Sequence, residues 1–171
     1  MRALLMTALL TFAGVANAVP VQVLTWEALV PPDAPKIAPV LTPMHDLSTL
    51  GTGLAEAAPA AHQVAPHAPV VAALDGQQVR LPGYIVPLEV GEDGRTTDFL
   101  LVPYYGACIH VPPPPSNQIV HVVTEAGVKV DELYQPYWVE GKLQVKPTSS
   151  ELAEAGYQLE GEKIFAYELP D

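Results

Sequence analysis

The chain has 171 residues, a net charge of −11 and a single cysteine. Such acidity argues against nucleic acid and against anionic membrane surfaces as partners, because both select basic patches. One cysteine excludes an internal disulfide and leaves either a buried, inert residue or a functional thiol.

Residues 1–18 read as a secretory signal. Arg2 gives a short positive region, Ala3 to Val15 an uncharged apolar run, and Ala16-Asn17-Ala18 the small-residue cleavage pattern. The run is too short to span a bilayer. The expectation is a periplasmic protein that starts near Val19, with no lipid anchor and no stable membrane insertion after cleavage.

The next stretch, Val19 to Val30, reads as extended and then briefly helical. Thr25 caps a short turn holding Trp26 and Leu29, with Glu27 well placed in it. Pro31-Pro32 ends the turn. Residues 31–73 hold eight of the 19 prolines and much alanine, which suits an arm around a domain better than a core. A short helix over Asp46–Ala58 is weakened by Gly51 and Gly53.

After Asp75-Gly76 the pattern turns to strands. Gln77 to Val90 reads as a bent strand, interrupted at Pro82-Gly83 and Pro87; Gly91 to Gly94 is a turn. Asp98 to Tyr105 is the second strand and Gln118 to Val123 the third, with a turn expected at Glu125-Ala126-Gly127. Tyr137 to Val145 is the fourth, with Gly141 a bulge or a point of close approach. Thr148-Ser149-Ser150-Glu151 matches a capping box and Gly156 a helix stop, so a two-turn helix is expected there. The last strand is Tyr157 to Leu169.

Five short strands with one short helix predict a mostly β fold, a small OB-like five-stranded barrel, with an open β-sandwich as the alternative. The expected organisation is a signal peptide over 1–18, a Pro/Ala-rich arm over 19–73 and a β-barrel domain over 74–171.

The chemistry concentrates in Gly106-Ala107-Cys108-Ile109-His110-Val111 and the four prolines behind it, Pro112 to Pro115. On an extended backbone, side chains two residues apart share a face. Three readings of Cys108 and His110 stand open: a core cysteine with a structural histidine, a soft-metal pair for zinc or copper, or a thiol activated by an imidazole. His121, on the third strand, would face His110 if the second and third strands pair antiparallel, making Cys108, His110 and His121 the candidate ligands. Glu89 or Asp98 could complete the shell. His62 and His67 fall in the arm. The proline run is either a docking ledge or a stiff support, and Asn117 can close a local turn. Hydrolase, zinc-protease and phosphate-loop signatures are absent from the sequence, so an enzyme is the minority reading.

Leu81-Pro82-Gly83-Tyr84-Ile85-Val86-Pro87-Leu88-Glu89, the segment Phe99 to Tyr104, and the proline-flanked Cys–His motif with Asn117-Gln118 together resemble a bacterial family catalogued as domain of unknown function 3299. Thr25 to Pro32 resembles that family's start and Trp138-Val139-Glu140-Gly141 its later strand; the likeness lapses over Glu56 to Ala73. The resemblance implies an exported protein without established activity. It also implies, by association with some members, a gene setting beside ABC-transporter components in metal-responsive operons. It therefore points to metal supply or envelope transport, with Cys108 and His110 as the carried-over positions.

Overall fold

A computed structural model describes residues 20–35, 62–109, 111–129, 131 and 134–168. The expected signal peptide, the Asp46–Ala58 helix, His45 and His110 lie outside them.

Five strands close into a barrel. They are β2 (Gln78–Pro87), β3 (Arg95–Val102), β4 (Val120–Lys129), β5 (Tyr137–Gln144) and β8 (Tyr157–Ala166). Their order is β2-β3-β4-β8-β5, with β5 returning to β2; β4 and β8 run parallel and the other pairs antiparallel. This is the OB-like arrangement, and the β2–β5 pairing rules out an open sandwich. A short strand β1 (Gln22–Val23) lies outside the barrel, parallel to β2. The only helical elements among the described residues are 3-10 turns, Trp26–Leu29, Ala72–Leu74 and Ser116–Gln118. None of these helices is long and apolar enough to cross a membrane.

The bend expected in the first strand has a clear cause. Residues Gln78 to Gly83 pair with β5, and Tyr84 to Pro87 pair with β3. Pro82 and Gly83 stand at the handover, where a donor-free residue is tolerated. A side chain on Gly83 would meet the Trp26 ring at 2.9 Å and Leu101 at 2.8 Å, so glycine lets the Trp26 turn seat directly on the wall. Trp26 Nε1 donates to the Pro82 carbonyl at 2.7 Å.

Alternation along the strands sends Val79, Leu81, Phe99, Leu101, Val139 and Leu159 into one buried core. Gly141 is the close approach expected of it. A side chain there would overlap the Glu160 carbonyl, and the β5–β8 register slips between Glu140 and Gly141. Tyr157 plugs the core and fixes the arm. Its hydroxyl donates to Leu29 O and accepts from Val71 N–H, each at 2.7 Å.

Two expectations are corrected. The two-turn helix over Thr148–Gly156 is instead a small hairpin, β6 (Thr148–Ser149) and β7 (Glu154–Ala155). Ser150 Oγ accepts from Leu152 N–H and Ala153 N–H and donates to Ala153 O, which closes a turn in place of a helix. Gln63 of the arm holds the returning strand, accepting from Glu154 N–H and donating to Glu154 O. The turn expected at Glu125–Gly127 is also absent. β4 runs on to Lys129, with an irregular register between Thr96 and Asp98 across from it.

A second buried cluster sits on the outer wall. Val86, Leu100 and Val102 point away from the barrel and are covered by Ala107, Ile119, Ala153 and Ala155. The continuous apolar run Phe99 to Val102 therefore has both faces buried.

Candidate functional site

The segment from Pro103 to Ile119 links β3 to β4 and folds back over the outer wall. Its first half is a tight turn. Gly106 O accepts from both Ile109 N–H and Val111 N–H at 3.2 Å, and Ala107 bridges to Val111. Cys108 has φ of 65°, the one left-handed residue other than glycine among the described residues. The extended backbone expected across Cys108 is thus replaced by a turn, and the shared-face argument for Cys108 and His110 loses its geometric premise. The thiol is half-buried and packs against the outer-wall cluster. Burial pushes it up to about 11. The nearby Tyr104 phenol is raised as well, first by burial and then by the Cys108 sulfur.

His121 is on the outer face of β4, in register with Leu100 on β3 and Gln158 on β8. Its Nε2 lies 2.6 Å from Asp98 Oδ1. The antiparallel pairing expected of these strands is present, and the partner it supplies is Asp98. His121 Nδ1 and Gln158 Oε1 are both buried and have no hydrogen-bond partner among the described residues. Glu89 is exposed by the β2–β3 turn, in a shallow groove with Asp93 and Arg95. Among the described residues, no three His, Cys, Asp or Glu side chains gather as a metal ion requires.

The larger concavity lies on the other side of the proline run. A cavity of about 640 Å³ is walled by Pro112 to Pro115, by arm residues 30–35 and by arm residues 64–69, with Glu27, His67 and Tyr104 contributing ionisable groups. That volume is within the usual range for a small-molecule site, roughly 300–1,000 Å³.

Three consecutive polar residues after the prolines hold the walls together. Ser116 N–H donates to Ala65 O, and Ser116 Oγ accepts from Ala68 N–H, both at 2.9 Å. Asn117 Nδ2 donates to Pro69 O at 2.7 Å, and Gln118 Nε2 donates to Trp26 O at 2.7 Å. Gln63 Nε2 adds a bond to Pro114 O at 2.9 Å. Asn117 is therefore a long-range clamp, not the closer of a local turn. The sequence carried one hint of this: two amide side chains directly behind a segment with no N–H groups.

Beside the cavity, Tyr104, Tyr105 and Ile109 are exposed at 39%, 56% and 55%, forming an apolar rim on the Cys108 turn. Tyr105 is steadied by an edge contact with Tyr84, ring centroids 6.1 Å apart.

These features define a small OB-like barrel whose β3–β4 connection and arm enclose a proline-walled cavity. Residues 26–166 match the model of a family described as a protein of unknown function (DUF3299). The chain belongs to that family. It is similar to a DUF3299 family protein from Pseudomonas aeruginosa PAO1 known from a crystal structure, with 58% identity and a TM-score of 0.76, over 89% of this chain and 99% of that one. No curated protein matches the chain.

Proposed function

We propose that this chain is an exported, non-enzymatic binding protein, and that the proline-walled cavity with its aromatic rim is its binding site. One observation carries the reading: the tetraproline run and two arm segments, far apart in sequence, are clamped by Ser116, Asn117 and Gln118 around one concave space. Polar side chains spent on holding an apolar concavity open are characteristic of a pre-formed ligand site. The signal-like start supports a periplasmic location, and what the resemblance implies of envelope transport favours a partner such as an ABC-transporter component.

The test is titration with the neutral apolar dye Nile red. The wild type binds one dye saturably with a rise in fluorescence. Ala34→Trp, which places an indole in the cavity from an arm turn, abolishes that signal while keeping its melting temperature. Unchanged dye binding in a folded Ala34→Trp protein would overturn the reading.

A second reading places a zinc or copper ion at Cys108 with His110 and, by extension, His121. Its specific support is the left-handed backbone at Cys108, a costly conformation for a residue with a side chain and one that concentrates at functional sites. His121 is held by Asp98 in the manner of a ligand whose second nitrogen is oriented by a carboxylate.

A further inference from the structure

Nearly half of the residues in the cavity wall have no backbone donor. Nine of its 19 lining residues are proline and have no N–H to offer; of their carbonyls, those of Pro31, Pro69, Pro114 and Pro115 already accept a hydrogen bond. Four of the remaining backbone donors are engaged elsewhere: Val30 N–H on Glu27 O, Ala34 N–H on Pro31 O, Ala68 N–H on Ser116 Oγ and Gln118 N–H on Pro115 O. The side-chain amides of Asn117 and Gln118 donate to Pro69 O and Trp26 O. His67, Tyr104 and Glu27 are the ionisable side chains of the lining. Glu27 is held below the usual carboxylate range by its own backbone N–H and by Thr25, so it carries its charge at neutral pH.

An anion entering this space would give up its hydration for a wall in which nine of 19 residues have no N–H to replace it. A cation meets acceptors, a carboxylate at the rim, and the aromatic side chain of Tyr104 in the lining. The net charge of −11 adds a long-range field of the same preference. Resting on the cavity being a binding site, we infer that its ligand is an apolar organic cation, a protonated amine or onium centre on a hydrocarbon or aromatic body. The charge lies toward Glu27 and the body against Pro112 to Pro115.

Two ions of matched size and shape and opposite charge provide the test: tetraphenylphosphonium and tetraphenylborate, titrated calorimetrically into the chain from Val19 onward. The wild type binds one phosphonium, at least about fivefold more tightly than the borate, as one rim carboxylate and a favourable field imply. Glu27→Gln weakens the phosphonium by about two- to fivefold and leaves the borate unweakened. Ala34→Trp removes binding of the phosphonium altogether. Equal affinities, a preference for the borate, or no phosphonium binding would overturn the inference. The two failures separate cleanly. If Ala34→Trp abolishes Nile red binding but the ions are not discriminated, the cavity stands and the charge rule falls. If Ala34→Trp binds every probe like the wild type, the site itself is wrong.

Discussion

Tyr157 and Leu29 meet at the end of the barrel, where the phenol hydroxyl donates to the Leu29 carbonyl at 2.7 Å and both residues are buried. The same oxygen accepts from Val71 N–H, so one side chain ties both arm segments to the barrel. Tyr157→Phe strands a buried carbonyl and an amide. The expected loss is about 1–3 kcal/mol in urea unfolding. Faster hydrogen exchange at the Val71 amide in the variant is the local check. An unchanged exchange rate would mean that the arm is held without Tyr157.

Gly141 gives a sharper case. A methyl group there overlaps the Glu160 carbonyl, so β5 and β8 must part or slip. Gly141→Ala is expected to cost about 1–3 kcal/mol or more, in the range of overpacked cores. Thermal melting measures it. By contrast Gly76, with open space around its Cβ position, tolerates the volume of a side chain, though its φ of 73° penalises one.

The clamp residues separate stability from binding. Gln118→Ala removes the bond to Trp26 O, and Asn117→Ala the bond to Pro69 O. Each is expected to weaken Nile red binding several-fold, with a loss of about 1 kcal/mol in stability per hydrogen bond. Binding that is unaltered in the double variant would show that the cavity walls do not depend on these amides.

The strands were legible because they alternate: Val79, Leu81 and Ile85 on β2, and Val120 and Val122 on β4, mark the inward face unaided. Gly141 announced its close approach, and Thr25 to Leu29 its short turn. Thr148 to Gly156 misled because a Ser/Thr-x-x-Glu pattern describes a helix start, while Ser150 uses the same local bonding to close a hairpin. The Cys108 turn was illegible because a left-handed cysteine has no signature in composition. The cavity was illegible for a different reason. Its walls come from three stretches joined by bonds across 48 to 92 positions, and no local window contains them.

Cys108 yields a pH dependence with a definite sign. Burial raises its thiol from the ordinary 9.0 to about 11. The folded state therefore favours the protonated form, so the contribution to stability is present below pH 9.0 and is lost as pH rises through about 11. The wild type should lose more melting temperature across that window than Cys108→Ser. Alkylation by iodoacetamide should accelerate up to the same pH. A fast reaction at pH 7 would show an accessible thiolate instead.

The metal reading has its own prediction. A soft ion must displace the proton that burial holds on Cys108, so zinc affinity should climb with pH. One equivalent should bind, with a large loss in both Cys108→Ser and His110→Ala. Calorimetry with equal binding in both variants would remove this reading and leave the cavity untouched.

The cavity claim is tested most directly by amide chemical-shift mapping during a Nile red titration of the chain from Val19 onward. The expected shifts gather on Ala34, Ala65, Ala68, Asn117 and Gln118. Shifts that leave those amides still and move the β5–β8 face instead would contradict the account.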